Sequence, residues 1–327
     1  MEKFISGAPL PLVMLLLIVG FVFLIKGADF FVEGSSNVAR KFKIPSVIIG
    51  MTIVAMGTSL PETSVSVTAS ITNNNALAVS NAIGSNIFNM MIVIGVCAII
   101  TPVAVGSETI KTDIPFSALC ALLLVLLGWS AIGDVSGMVV GHLDGILLLI
   151  VFAGYLVWLT KRARKNRAES DEVDSEKELL SIPVCIVYIV LGAAGIALGG
   201  DLTVDAASRI AIDFGMSQTL VGLTIVSIGT SLPELVTSVV AARKKEVGMA
   251  LGNAIGSNIF NILMVLGIAS AISPINFIQE NVIDIIILLV FTLIVWGFAS
   301  SKKILTRLEG IHMVLLYAAY AVYICIR

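Results

Sequence analysis

Two glutamates stand in identical surroundings, far apart in this chain of 327 residues. Glu62 ends the sequence Gly-Thr-Ser-Leu-Pro-Glu, and Glu234 ends the same six residues 172 positions later. Both copies lie within long apolar runs, and an acidic side chain at the centre of a membrane helix costs about 2.5 to 3.5 kcal/mol. Because simple packing needs no buried carboxylate, these two side chains are the first candidates for chemistry.

A proline precedes each of these glutamates. Pro61 removes one helical hydrogen bond and clashes with the carbonyl of Gly57, four residues earlier. Broken backbone at membrane depth is tolerated only where protein buries it or where it lines a wet cavity. A paired break beside a paired carboxylate, in two halves of one chain, is typical of the ion site of a transporter.

A second repeat has the same separation, because the nine residues 81–89 recur as residues 253–261. Helical spacing places the polar residues of each copy on one face. Carboxylate, hydroxyl and amide oxygens suit hard cations such as Ca²⁺, and the lack of His and Cys on these faces argues against zinc or copper. The faces hold Ala55, Thr58, Ser59, Glu62, Ser66, Asn81, Ser85 and Asn89, and then Ser227, Thr230, Ser231, Glu234, Ser238, Asn253, Ser257 and Asn261. For Ser66, Ser238, Asn81 and Asn253, helix packing is the favoured alternative.

The composition predicts an all-α polytopic membrane protein, since 57% of residues are hydrophobic, 13% are charged and the mean hydropathy is +1.04. The four cysteines lie in different apolar segments and predict neither a disulfide nor a metal site. Five spans per half make ten transmembrane helices, and an odd number per half makes the two repeats inverted. The spans are predicted at 9–33, 46–72, 78–101, 114–133, 143–160, 182–206, 218–242, 248–272, 282–299 and 309–326.

The placement of basic residues predicts the orientation. If both termini face outside, 16 of the 20 Lys and Arg residues fall in inner loops, as the positive-inside rule predicts. The predicted units are a first five-helix repeat at 1–160, a polar cytoplasmic linker at 161–181 and a second, inverted five-helix repeat at 182–327. No nucleic acid, cofactor or obligate protein partner is expected; the lipid bilayer is the environment.

Two further pairs of acidic residues are related by the repeat distance of 172 residues. Asp29 and Glu33 match Asp201 and Asp205 at the same separation. The sequence leaves two interpretations open. One is a long, half-polar helix that slides beside the site, and the other is a helix end that already lies in the headgroup region.

The two copies of Gly-Thr-Ser-Leu-Pro-Glu, each followed by Gly-Ser-Asn-Ile-Phe-Asn, resemble the alpha-repeats of the cation/calcium exchanger superfamily, most closely its prokaryotic sodium/calcium exchanger branch. The resemblance implies an antiporter, not an enzyme, that exchanges Na⁺ for Ca²⁺ across the plasma (inner) membrane of a prokaryote. It implies a calcium site on Glu62, Glu234 and the carbonyls of Thr58 and Thr230. Flanking sodium sites would use Ala55, Ser59, Ser85, Ser227, Ser231 and Ser257, with Asn89 and Asn261 in the middle.

The chain departs from the family pattern at two places. Members of this branch often carry aspartate where Asn261 stands, and Ser227 replaces the alanine that Ala55 preserves. The nearest alternative function is an H⁺-coupled antiporter of Ca²⁺ or another cation with the same fold. A membrane hydrolase that uses Ser59 or Ser231 lacks a nearby base, and a passive channel does not require mirrored broken helices.

Overall fold

Long helices make up most of the protein in the computed structural model, which describes residues 7–72, 75–129, 138–169, 179–216 and 227–326 together with Ile5, Val221 and Ile225. The helices of the first half are α1 (Leu10–Lys41), α2 (Ser46–Thr58), α3 (Leu60–Ile71), α4 (Ala76–Ile100), α5 (Thr109–Gly128) and α6 (His142–Lys165). Those of the second half are α7 (Ile182–Asp213), α8 (Ser227–Gly229), α9 (Leu232–Arg243), α10 (Val247–Ile272), α11 (Gln279–Lys302) and α12 (Arg307–Ile326).

The described part of the chain contains eight helices that are long and apolar enough to cross a membrane, or nine if α2 and α3 count as one bent span. This agrees with the prediction of a polytopic helical membrane protein. The predicted span 218–242 contains α8 and all of α9 but its last residue, whereas residues 217–220, 222–224 and 226, within and beside the span, lie outside the described residues. The same holds for residues 130–133 of the predicted span 114–133 and for residues 170–178 of the predicted linker.

The predicted break at the proline motif is confirmed. The axes of α2 and α3 meet at 49°. Ser59 leaves helical geometry at φ −83° and ψ 11°, and Pro61 occupies the second position of α3, where a missing N–H costs nothing. Ser231 has nearly the same conformation, at φ −94° and ψ 1°, immediately before α9.

The helices α1 and α7 run side by side and are each 32 residues long. At 1.5 Å per residue each is about 48 Å long, well beyond the hydrocarbon thickness of about 30 Å. They approach closely through small residues, since a Cβ added to Gly27 would lie 2.7 Å from the backbone nitrogen of Ile196. These helices therefore extend beyond the predicted spans 9–33 and 182–206, which cover the apolar part of each helix.

Two short antiparallel ladders join the halves outside the helices. In one, β1 (Val103–Ala104) pairs with β4 (Ile304–Leu305); in the other, β2 (Val139–Val140) pairs with β3 (Ile275–Asn276). The registers are Val103 opposite Leu305 and Val140 opposite Ile275. Since Val103 and Ile275 are separated by the repeat distance, each half contributes an equivalent strand.

Candidate functional site

The two repeated glutamates lie at equivalent positions in the centre of the molecule. Glu62 is in the first turn of α3 and Glu234 is in the first turn of α9, and both side chains are fully buried. A helix N-terminus carries unpaired N–H groups and a partial positive charge, which favours a carboxylate there. The broken helices thus give both acids some electrostatic support before any cation binds.

Serines from both halves donate hydrogen bonds to these carboxylates. Ser85 Oγ donates to Glu62 Oε1 at 3.3 Å, while Ser59 Oγ and Ser257 Oγ donate to Glu234 Oε1 at 3.1 and 3.4 Å. Ser231 Oγ donates to Ser85 Oγ at 3.0 Å. Because Ser59 reaches Glu234 and Ser231 reaches Ser85, the two halves interlock at the site.

A layer of mirrored threonine and asparagine contacts lies beside the acids. Each threonine hydroxyl donates to an asparagine oxygen in the other half: Thr58 to Asn253 at 3.1 Å and Thr230 to Asn81 at 3.2 Å. The same asparagines donate to Ser238 at 2.9 Å and to Ser66 at 3.2 Å. Ser66 and Ser238 therefore hold the side-chain amides of Asn81 and Asn253 in place by hydrogen bonds.

Four buried oxygens in the centre have no hydrogen-bond partner among the described residues. They form two mirrored pairs, namely Oε2 of Glu62 and Glu234 and Oδ1 of Asn89 and Asn261. Buried polar groups in native proteins are almost always paired, and an uncompensated buried charge costs several kcal/mol. Symmetric, unpaired acceptors of this kind are what a bound cation would satisfy.

Sequence reasoning missed two central residues. Asn86 and Asn258 exchange reciprocal hydrogen bonds, in which each side-chain nitrogen donates to the other's backbone carbonyl at 3.1 Å. Their side-chain oxygens accept from Asn261 at 3.0 Å and from Asn89 at 3.2 Å. These bonds fix the amide orientations that leave Oδ1 of Asn89 and Asn261 unpaired. The repeat itself was the available signal, since both asparagines are part of the nine-residue copy.

The remaining predicted site residues lie in the same region. Ala55 is fully buried in α2, and its carbonyl accepts the backbone N–H of Ser59 at 3.0 Å. Thr58 is the last residue of α2, so its carbonyl has no partner within that helix. Ser227 begins α8, but its side chain lies outside what the structure describes.

The donor set is made of oxygen alone. Among the described residues no three His, Cys, Asp or Glu side chains come together as a metal cluster. The site therefore combines two carboxylates with neutral hydroxyl and amide oxygens, which suits hard monovalent or divalent cations.

For the cation transport that the sequence resemblance implies, replacing Pro61 by Ala is expected to reduce the rate by about tenfold, equal to about 1.4 kcal/mol, with little loss of folded protein. Alanine restores an N–H that can bond to the Gly57 carbonyl, so α2 and α3 can join and the bend at Ser59 is lost. The measurement is ion-driven ⁴⁵Ca²⁺ uptake normalised to protein in the membrane. Pro183→Ala is the matched control, because Pro183 also lies in the first turn of a helix but at the end of α7 remote from the site. Wild-type uptake by Pro61→Ala would contradict the role of the break.

The comparisons with known proteins cover nearly the whole chain. Residues 12–161 and 184–326 match the family model described as sodium/calcium exchanger protein. A putative antiporter, CaxA, of Alkalimonas amylolytica is 43% identical over 79% of this chain and 80% of its own. An uncharacterized membrane protein of Methanocaldococcus jannaschii is 37% identical over 92% of this chain and 94% of its own. The sodium/calcium exchanger MaX1 of Methanosarcina acetivorans is 29% identical over 94% of this chain and 97% of its own.

A solved structure has the same architecture. The sodium-calcium exchanger NCX_Mj, soaked without Na⁺ and Ca²⁺, superposes with a TM-score of 0.83 at 33% identity. The superposition covers 97% of this chain and 100% of that one.

Proposed function

Because the chain belongs to the sodium/calcium exchanger protein family, we propose that this integral membrane protein is a secondary antiporter that exchanges Na⁺ for Ca²⁺ by alternating access. The observation that carries the proposal is the mirrored set of unpaired oxygens on Glu62, Glu234, Asn89 and Asn261. Two carboxylates match the charge of one Ca²⁺, and the same oxygens can share several Na⁺ ions instead. One site that accepts either cargo in turn is the requirement for exchange.

The proposed calcium site consists of the Glu62 and Glu234 carboxylates with the carbonyls of Thr58 and Thr230. The break at Ser59 supports this, since it ends α2 at Thr58 and leaves that carbonyl without a helical partner. The proposed sodium positions flank it, with Asn89 and Asn261 in the middle. They use Ala55, Ser59 and Ser85 in one half and Ser227, Ser231 and Ser257 in the other.

The proposed architecture has ten membrane helices in two inverted repeats, with units 1–160 and 182–327 joined by a cytoplasmic linker at 161–181. Equivalent breaks, equivalent strands and one repeat distance support the duplication. An odd number of spans per unit would then insert the second unit from the opposite side. In this proposal both termini face outside, and the membrane is the plasma membrane of a prokaryote. Exchange requires no protein partner.

A cysteine introduced at Ser170 tests this orientation. A Cys325→Ser background removes the one exposed cysteine of the described residues, because Cys97, Cys120 and Cys185 are buried. Impermeant thiol reagent is expected to label Ser170→Cys in inside-out vesicles and not in right-side-out vesicles. Thr72→Cys is the matched reference, because Thr72 is exposed at the end of α3 and the proposed topology places it outside. Thr72→Cys should be labelled in right-side-out vesicles and not in inside-out vesicles. Labelling of Ser170→Cys only from the outside would contradict the proposed topology.

An ion-gradient experiment tests the proposed function. Vesicles loaded with Na⁺ and diluted into Na⁺-free medium with ⁴⁵Ca²⁺ are expected to accumulate Ca²⁺. Vesicles with an acidic, Na⁺-free interior are expected not to. The hydroxyl groups of Ser59, Ser85 and Ser231 can coordinate a small desolvated cation. Proton binding to a carboxylate does not need such a hydroxyl shell. Equal uptake in the two kinds of vesicle would refute Na⁺ coupling and favour the H⁺-coupled antiporter.

A further inference from the structure

A cavity of about 350 Å³ reaches the site from one side of the molecule. It lies between α7 and the two helix breaks, and its lining includes Asp201, Asp205, Ser64, Pro61 and Thr230. Asp201 and Ser64 are exposed, whereas Thr230 belongs to the site itself. The cavity therefore leads past an acidic pair to Thr230 at the edge of the site, while Glu62 and Glu234 beyond it are fully buried.

The repeat predicts a mirrored route, lined by the residues at the repeat distance: Asp29, Glu33, Val236 and Thr58. The structure closes this second route. Along α1, Ala28 and Val32 are fully buried, and α1 packs closely along α9. The equivalent helices on the open side, α7 and α3, make little contact. A symmetric frame thus holds one open and one closed route.

An aromatic ring fills part of the closed route. Phe31 lies so near Gly57 that a Cβ added to the glycine would be 2.5 Å from the Cζ atom of the ring. On the open side the residue at the repeat distance from Phe31 is the much smaller Thr203, and Val204 contacts Gly229 instead. The two routes therefore differ in bulk as well as in helix contact.

Lys244 joins the two helices of the closed route. Its ammonium lies 2.7 Å from Asp29 Oδ1 and 2.9 Å from Glu33 Oε2, and it donates to the Asp29 carbonyl at 3.0 Å. Burial lowers the pKa of Lys244, but the hydrogen bonds and charges of Asp29 and Glu33 outweigh burial and raise that pKa above its ordinary value. The lysine is therefore a permanent cation between α1 and α9. Arg40 and Glu246 form a second ion pair at the same end, at 2.6 Å.

The mirrored position carries no charge. Lys244 is the residue directly after α9, and the residue directly after α3, at the repeat distance, is Thr72. Thr72 is exposed, and its hydroxyl donates to the Thr68 carbonyl at 2.9 Å. The two acidic pairs are thus alike in both halves, while the lysine that bridges one of them has no basic counterpart at position 72.

We propose that Lys244 is a positioning residue that latches α1 to α9 and holds this access route closed, so that the form open beside Asp201 is favoured. The inference rests on the proposed alternating access. For the site to open on the other side, the ammonium must leave Asp29 and Glu33. These acids would then line that route as Asp201 and Asp205 line the open one. The latch sets the balance between the two forms without touching the transported ions.

Cysteine accessibility tests the latch directly. In the Cys325→Ser background, Ser64→Cys reports on the open cavity, and Val236→Cys reports on the mirrored route. Because the latch is partly exposed, Lys244→Gln is expected to slow impermeant thiol labelling of Ser64→Cys by about three- to tenfold. It should speed labelling of Val236→Cys from the opposite face by a similar factor. Lys244→Arg, which keeps the charge, should restore both rates.

Lys41→Gln is the matched control, because Lys41 is an exposed lysine at the same end of α1 and outside the latch. It should leave both labelling rates unchanged. If Lys244→Gln also leaves both rates unchanged in folded protein, the latch is refuted. An equal change in Lys41→Gln would show a general charge effect and would refute it as well.

Transplanting the latch provides a test that does not depend on removing a contact. Thr72→Lys places an ammonium directly after α3, at the repeat distance from Lys244, where it would bridge to Asp201 and Asp205 once that route closes. Combined with Lys244→Gln, it is expected to protect Ser64→Cys further and to expose Val236→Cys, whereas Thr72→Gln should do neither. A shift in the opposite direction would overturn the proposal.

Labelling is measured without Na⁺ or Ca²⁺, so it is independent of the transported ions. A shift in labelling together with absent Na⁺-driven Ca²⁺ uptake would retain the latch and refute the proposed function. Normal Na⁺-driven Ca²⁺ uptake without any shift in labelling would retain the proposed function and refute the latch.

Discussion

Replacing either Glu62 or Glu234 by Gln is expected to abolish Ca²⁺ transport while the protein still folds. Each variant removes one of the two negative charges that balance the divalent ion in a buried site. Glutamine keeps the size of the side chain and can still accept from the serines around it. Each substitution is therefore expected to weaken Ca²⁺ binding and to leave the packing of the helices unchanged.

The measurement combines transport with binding. Saturating Ca²⁺ should stabilise the wild-type protein, by about 2.7 kcal/mol at about 100 times its dissociation constant, and should stabilise neither variant. The matched control is Glu280→Gln, which makes the same change in the first turn of a helix but at an exposed position of α11. Robust exchange by either Glu62→Gln or Glu234→Gln would refute the assignment of the site.

Much of this site follows from the sequence because the repeat constrains it twice. One separation relates both motifs, so any helix arrangement that brings Glu62 inside must bring Glu234 inside as well. The proline in each copy predicts the break that the structure shows at Ser59. The periodicity of Asn81, Ser85 and Asn89 places them on the face of α4 from which Ser85 reaches Glu62.

Contacts between the halves were not predictable in the same way. Periodicity assigns a side chain to a face of its own helix but does not say which helix faces it. The donation from Ser59 to Glu234 and the reciprocal pair of Asn86 and Asn258 depend on how two units dock. The bridge from Lys244 to Asp29 arises likewise from packing between α1 and α9.

In the proposed site, the neutral amide at position 261 would determine which step of the transport cycle carries charge. With Asn89 and Asn261 uncharged, the two carboxylates give the site a charge of minus two. One Ca²⁺ brings it to zero, and three Na⁺ would bring it to plus one. Movement of the sodium-loaded form would then respond to the membrane potential at about 2.3 kcal/mol per 100 mV, or about 50-fold, while the calcium-loaded form would not respond.

Asn261→Asp is expected to transfer this voltage dependence from the sodium step to the calcium step. The added carboxylate makes the calcium-loaded site minus one and the sodium-loaded site neutral for the same three ions. Ca²⁺–Ca²⁺ and Na⁺–Na⁺ exchange, each followed by isotope flux at clamped potentials, measure the two steps separately. Asn89→Asp is the mirrored variant and should behave alike, because its Oδ1 has the same unpaired environment. Voltage dependence that stays with Na⁺–Na⁺ exchange in both variants would show that positions 89 and 261 do not contribute charge to the loaded site.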